Sequence, residues 1–396
     1  MKLTVKGFKA AAVKAGIRGK DRLDLGMIYS EVPAAAAAVF TTSSVKAAPV
    51  VLGAEKLKSG QAAQALVVNS SIANACTGAQ GMELAGGVAG LAARSLDISE
   101  NLVQVSSTGV IGEQLDFSCF EENMDRLVGE LSEDNFMAVA RAMMTTDTVE
   151  KTAFRRVEIN GREVRLLGLA KGAGMIMPNM ATMLCFVVTD AAVSADLLGL
   201  MLKKGADQSF NVITVDGDTS TNDTVLVMAN GLAGNSLLTG MDQDGAGVFQ
   251  TALDDLLKDL ALQIVADGEG ATKLITVRVN GALNRAEAEQ AARTVANSAL
   301  FKTACFGEDA NWGRIIGALG RSGVDFDPER VDIGFDDVLM VREGLGLKEN
   351  EEQATNVLKQ KEFSVNIDLK NGSGSSEVYT CDFSLDYVRI NADYRT

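Results

Sequence analysis

Between Gly172 and Thr189 the chain runs eighteen residues without a charged side chain, GAGMIMPNMATMLCFVVT. A stretch of that length and polarity has to be buried, in a bilayer or inside a fold, and its own residues decide which. Pro178, Asn179 and several other polar groups interrupt its middle, and hydrocarbon leaves such a break unsatisfied. The alternative is a Gly-rich, Pro-containing turn (Gly172, Gly174, Pro178, Asn179) that feeds a β-type apolar run, Met183 to Thr189, inside a sheet.

Thr182 stands at the head of that run. A hydroxyl at the first position of a buried strand, just after a tight turn, is held rigidly and can be aimed. The preceding Ala181 is small, which leaves its carbonyl open to attack. If the Ala181–Thr182 bond is cut, Thr182 carries a free α-amine beside its hydroxyl. Such an amine has a pKa of about 7.7–8.0 and can act as the base near neutral pH. Composition narrows the choice further, because the 396 residues include no histidine. Ser–His and Cys–His nucleophiles are excluded, as are His-ligated metal sites. A base for acyl transfer has to be a Lys, a carboxylate or an N-terminal amine. Taken alone, however, a Thr here is most often an ordinary strand residue.

The remaining bulk properties bound the class. With 47% apolar and 22% charged residues the chain is globular, and its length allows two or three domains. Cys76, Cys119, Cys185, Cys305 and Cys381 are odd in number and form no C-x-x-C pair, which favours reduced thiols in a cytoplasmic protein over disulfides or zinc. Up to Ala181 there are 19 basic and 19 acidic residues; from Thr182 onward there are 18 and 33. An acidic excess with no basic stripe argues against nucleic-acid binding. The basic N-terminus, MKLTVKGFKAAAVKAGIRGK, has too short an apolar run for a secretory signal and is expected to belong to the mature protein.

Short β-type runs alternate with Ala-rich helical stretches, the pattern of an α/β (α+β) fold. ALVVNSS (65–71) and LVQVSST (102–108) read as strands; 81–96 reads as a helix, as does the run after Asp134, its expected cap. VEINGREVRLLGLAKG (157–172) reads as a hairpin turning at Asn160-Gly161. Further expectations are a helix over 192–210, a strand at NVITV (211–215), a long helix over 247–270 and a strand at KLITVRVNG. Beyond about 281 the pattern suggests a smaller α+β domain, with a helix around ARTVANSALFKTACFG, strands near 330–345, and strands from 363 to 390 joined by a hairpin loop at NGSGSS. The domains are therefore drawn as 1–280, containing the 181/182 bond, and 281–396, a C-terminal α+β domain. Asp216, Asp218 and Asp223 do not match an EF-hand spacing and are taken as loop capping, so no metal is expected.

KGAGMIMPNMATML (171–184) resembles the self-cleavage segment of the ornithine acetyltransferase family. GFKAAAVKAGI, FTTSSVKAAPV, STGVIG, TTDT, TVDGDTSTNDT, DGEGATK, GEDANWGRI and the terminal NADYRT are similar to the same family, in order and across nearly the whole chain. Two positions depart from its pattern. Ser71-Ile72 stands where Gly-Asn is usual, and Ser43 where Asn is usual.

The resemblance implies a layered helix–sheet–sheet–helix core similar to N-terminal-nucleophile enzymes, with 1–280 as the catalytic core and 281–396 completing the substrate site. It implies self-cleavage between Ala181 and Thr182 by an N-to-O shift. The exposed Thr182 then takes the acetyl group of N2-acetyl-L-ornithine and passes it to L-glutamate, in the cyclic route of arginine biosynthesis. By the same resemblance Thr108 and Gly109 form the oxyanion hole, and Thr145, Lys171, Thr182, Glu269, Asn391 and Thr396 bind substrate. No cofactor is implied, acetyl-CoA is left open as a second donor, and the α and β pieces are expected to form an α2β2 heterotetramer in the cytoplasm, with no membrane or nucleic-acid partner. Without the resemblance, STGVIG is a Gly turn, Glu269 a loop residue after a helix, and the C-terminus an ordinary fraying end. Two other classes remain open at this stage: a self-cleaving Thr-nucleophile aminopeptidase or amidase, and a non-catalytic binding protein.

Overall fold

A computed structural model describes residues 3–17, 19, 21–177 and 183–393. The chain is mixed α/β with two sheets, and it divides into two compact units. The first comprises 1–172, 179–211 and 218–264; the second comprises 173–178, 212–217 and 265–396. The division at 265 falls earlier than the composition change near 281 suggested. The reason is that the strand starting at Leu274 is a central member of the second sheet, so its lead-in belongs with it.

The first unit is built on β1 (Phe8–Val13), β2 (Leu25–Phe40), β3 (Ala62–Asn69), β4 (Val103–Ser107), β5 (Lys151–Ile159), β6 (Arg162–Lys171), β7 (Leu184–Thr189) and β8 (Thr224–Ala229). They run in the order β4-β3-β2-β8-β7-β6-β5, with β1 also paired to β2. β7 (LCFVVT) and β8 (TVLVMA) pair in parallel, and every residue of both is buried. A strand covered on both faces reads as a continuous apolar run, which accounts for the uncharged stretch that follows residue 183. On one face, Leu184, Phe186 and Val188 join Leu167, Leu169, Leu226 and Met228 in a core with Phe136 and Val139 of the helix Phe136–Ala142. Another core packs Val67, Val103 and Val105 against Val88, Ala89 and Ala92 of the helix Gly78–Leu96. Each large apolar side chain so buried contributes about 1.5–3 kcal/mol.

β5 and β6 form the expected hairpin, with Asn160 and Gly161 both at positive φ as a two-residue turn requires. Its consequence for function is register. Lys171, the last residue of β6, lies opposite Leu184 at the start of β7.

The second unit holds β9 (Leu274–Ala282), β10 (Asp332–Phe335), β11 (Val338–Arg342), β12 (Leu345–Gly346), β13 (Glu362–Asp368) and β14 (Gly374–Cys381), in the order β12-β11-β10-β13-β9-β14. Several sequence expectations are corrected here. NGSGSS is not a hairpin loop, because β13 and β14 pair with opposite edges of β9, one parallel and one antiparallel. The run after β14 is a helix, Leu385–Ala392, started by the Ser384 side chain accepting from the Asp386 amide. The helix expected through 292–307 is two, Arg285–Ala296 and Ala299–Phe306. Ser298 caps the second by accepting from Phe301 N, which ends one helix and begins the next. NVITV is a short 3-10 turn, Phe210–Val212, followed by a single bridge from Ile213 to Tyr379, too brief to be a strand. Asn135 rather than Asp134 occupies the cap position before Phe136, with no side-chain cap bond.

Candidate active site

The TTDT turn supplies the anchor of the site in the first unit. Asp147 is 8% exposed and its carboxylate accepts three hydrogen bonds from the chain around it. Oδ1 accepts from Lys151 Nζ (2.7 Å) and from the Gly172 amide (2.7 Å), and Oδ2 accepts from the Thr145 amide (3.0 Å). Burial alone would raise its pKa. The charges of Lys171 and Lys151 and the bonds from Lys151 and Thr145 outweigh that, holding the carboxyl down at about 2. Asp147 is therefore ionised at any working pH.

Lys171 is 3% exposed and donates from Nζ to Thr145 Oγ1 (2.9 Å) and Thr108 Oγ1 (3.2 Å). The structure thus brings together three of the residues the sequence singled out. Their polarity has a chemical result. A hydroxyl that accepts from an ammonium directs its own hydrogen elsewhere, so Thr108 is set to donate outward. Gly109 follows at φ 131, and a Cβ there would collide with the Ser71 carbonyl, so the site accepts no side chain. The corner is held from behind: Ser107 Oγ donates to Asn69 Oδ1 (2.7 Å), and Asn222 Nδ2 donates to the Ser107 and Ala73 carbonyls (2.8 and 2.6 Å). A rigid hydroxyl beside a glycine amide suits an oxyanion, which needs donors about 2.7–3.1 Å away.

The departure at Ser71 has a local cost. Ser71 adopts φ 82, a conformation that glycine takes without strain, and its carbonyl accepts from the Val110 amide (3.0 Å). Ile72, in the usual Asn position, is buried in the apolar core. Ser43 sits in a turn, accepting the Val45 amide on its hydroxyl (3.2 Å) while its own amide donates to Thr41 Oγ1 (3.1 Å).

Two aspartates that the sequence reading took as loop capping accept backbone amides from Met175, Ile176 and Met183, residues before and after the proposed cleavage point. In the first unit Asp223 Oδ1 accepts from the Met183 amide (2.9 Å), and the Met183 carbonyl accepts from Thr224 N (3.2 Å). Asp223 is fully buried, and its Oδ2 has no hydrogen-bond partner among the described residues. Burial pushes its pKa well above the usual carboxylate range; the Met183 amide, the nearby Thr41 hydroxyl and the Lys171 charge oppose this without overcoming it. In the second unit Asp216 accepts from the Ile176 amide (2.9 Å) and the Met175 amide (2.6 Å). Capping was the right chemistry, but only the structure reveals which amides are capped. Among the described residues no group of three or more metal-ligating side chains comes together.

The second unit contains its own cluster. Glu269 is 6% exposed; its Oε2 accepts from Asn391 Nδ2 (2.8 Å), and its amide donates to the Ala173 carbonyl (2.8 Å). A Cβ on Gly174 would collide with the Glu269 carboxylate, which explains a glycine at that place. Asn391 lies on the helix Leu385–Ala392, so the chain near it is a regular element and not a fraying end. Ala181, Thr182 and Thr396 lie outside the described residues.

Comparison with known proteins gives a consistent result. The ArgJ family model matches residues 9–396. The arginine biosynthesis bifunctional protein ArgJ of Desulfotalea psychrophila is 58% identical over 395 residues, covering 100% of both chains. That of Geobacter sulfurreducens is 51% identical, again over 100% of both. Among solved structures, the arginine biosynthesis bifunctional protein of Bacillus halodurans is 45% identical with a TM-score of 0.51, covering 52% of this chain and 97% of that one.

Proposed function

Because the chain belongs to the ArgJ family and is an acetyltransferase of arginine biosynthesis, we propose that Thr182 is its nucleophile and that it works only after cutting the chain at its own amide. The Thr182 hydroxyl adds to the Ala181 carbonyl, the C–N bond breaks as the acyl group moves to oxygen, and water opens the ester. Pieces 1–181 and 182–396 result, with a free amine on Thr182. In turnover that amine takes the hydroxyl proton as Oγ attacks the acetyl carbon of N2-acetyl-L-ornithine. The proton passes to the departing ornithine nitrogen and acetyl-Thr182 remains. The amine of L-glutamate then attacks the ester, giving N-acetylglutamate and restoring the hydroxyl. Two easier steps replace one difficult one.

The observation that carries this reading is the Lys171–Thr108–Thr145 constellation, bonded at 3.2 and 2.9 Å and placed by register opposite Leu184, two residues beyond Thr182. Thr108 and the Gly109 amide suit the oxyanion of each tetrahedral intermediate, and Lys171 suits an α-carboxylate. Glu269, held by Asn391, suits the δ-ammonium of the donor. Thr145 and Thr396 complete the proposed substrate contacts. The solved Bacillus halodurans chain, matched over 97% of its length, spans about half of this one, as expected for one piece of a chain cut near its middle.

Acetyl-CoA as a second donor accords with the word bifunctional in the relatives' names. The two pieces of one chain stay associated, because β7 is buried between β6 and β8 and its release would expose large apolar side chains. Their pairing into an α2β2 heterotetramer is proposed from the family resemblance. Reduced thiols suit the cytoplasm, and among the described residues all five cysteines are unpaired and no helix is long and apolar enough to cross a membrane.

Purified protein offered N-acetylornithine plus glutamate should yield N-acetylglutamate, and acetyl-CoA plus glutamate should do the same. Mass spectrometry should find the two pieces, with a transient acetyl group on 182–396. Release of free acetate without glutamate consumption would identify a hydrolase instead. A single full-length species with undiminished activity would rule out self-cleavage.

A further inference from the structure

Lys151 has no role in the mechanism above, yet it is a fully buried lysine, 0% exposed, in the same cluster. It sits at the first residue of β5 and donates to Asp147 Oδ1 at 2.7 Å, an ion pair in which both side chains are inaccessible to water. Removing two charges from water costs several kcal/mol per ion, so a buried pair is seldom retained for stability alone. Its placement indicates what else it does. Asp147 faces two cations, Lys151 and Lys171, and fixes the Thr145 amide and the Gly172 amide beside Lys171. Asp223, whose carboxyl also feels the Lys171 charge, is pushed towards its neutral form by burial. Asp147 is thus shared between two cations, with Lys151 in direct contact. Without Lys151, its negative charge would act on Lys171 uncompensated by that pair.

We propose that Lys151 is a positioning residue for substrate specificity: by neutralising Asp147 it keeps the Lys171 end of the cluster positive, and so selects substrates that carry an α-carboxylate. The inference rests on the acetyltransferase reading. It separates two tasks that one lysine cannot combine. Asp147 is needed as a rigid acceptor for the Gly172 and Thr145 amides, but its charge alone would weaken carboxylate binding. Lys151 removes that conflict without touching the substrate.

The test compares N-acetylornithine with its α-carboxamide, which has the same shape and no negative charge, as donors to glutamate. Wild-type enzyme should prefer the carboxylate. Lys151→Met should raise KM for N-acetylornithine about tenfold or more, the effect of one unit charge at roughly 10 Å and an effective dielectric constant of about 20. KM for the carboxamide should not change, so the preference collapses. The double variant Lys151→Met/Asp147→Asn removes both charges, keeps an acceptor oxygen at 147, and should recover most of the preference. A preference that survives Lys151→Met overturns the proposal. So does a double variant that discriminates no better than the single one. If Lys151→Met does not fold, the double variant decides alone: a preference within about threefold of wild type supports the proposal, and its loss overturns it. If wild-type enzyme transfers no acetyl group at all, the acetyltransferase reading has failed instead. Calorimetric binding of the two compounds to the same proteins then reads the charge effect directly.

Discussion

The TTDT turn and the head of β8 each bury an aspartate beside Lys171, and the two behave in opposite ways. Asp147 is held ionised, at about 2, while Asp223 is pushed well above the ordinary carboxylate range. Burial is nearly the same, so burial is not what separates them. Asp147 has a lysine in direct contact and two backbone amides; Asp223 has one amide and an oxygen with no partner among the described residues. The local partners decide whether a buried carboxyl acts as a charge or as a neutral acceptor. Both shape the site, one by electrostatics and one by holding the amide that follows Thr182.

The largest expected effect sets the scale for both. Thr182→Ala should remain a single full-length chain and lose activity by ~10⁴-fold or more, since nucleophile and base vanish together. Neither aspartate variant should approach that loss if each acts through other groups, so a comparable loss in Asp223→Asn, read as kcat in a transfer assay, would place Asp223 in direct chemistry.

Stability should separate the pair next. Asp147→Ala leaves Lys151 buried without its anion, a change that typically costs about 3–5 kcal/mol. Asp223→Asn keeps an acceptor for the Met183 amide and replaces a group already inclined to neutrality, so denaturant unfolding at pH 7 should find it as stable as wild type or more so.

The pH dependences should run in opposite directions. Asp147 has a folded pKa below its unfolded value of 3.8, so its contribution is present above 3.8 and is lost as pH falls towards 2; the shift is worth about 2 kcal/mol. Asp223 has a raised folded pKa, so its contribution is present below 3.8 and is lost as pH rises through the folded value. Melting curves between pH 3 and 8 should therefore show Asp223→Asn gaining on wild type as pH rises. A constant gap would mean that Asp223 is ionised in the folded protein and that the contrast with Asp147 is false.

The smallest effect concerns the backbone behind Gly109. Ser71→Gly should relieve the positive φ and stabilise by up to about 1 kcal/mol, offset in part by the extra freedom of glycine in the unfolded chain. Loss of stability would show that the Ser71 side chain contributes more than its backbone strain costs.

The sequence by itself determined the buried strand after residue 183 and the hairpin turning at Asn160-Gly161, and it singled out Thr108, Thr145 and Lys171, which the fold brings within hydrogen-bond reach of one another. These follow from uncharged length, from the Asn-Gly turn and from a resemblance carried by contiguous motifs, all local in the chain. It misplaced what depends on pairing at a distance. NGSGSS has the composition of a hairpin loop, but β9 comes between the strands it joins. The run after 384 reads as strand in the sequence, but Ser384 accepting the Asp386 amide starts a helix there. Asp147 and Lys151 were ordinary polar residues in the sequence, and Asp216 and Asp223 were expected only as loop caps, because no spacing tells which amide a carboxylate will find. Only the tertiary structure decided that one of these acids is held charged and another pushed towards its neutral form, since a buried carboxyl's state is set by burial and by the groups that the fold brings within hydrogen-bond reach.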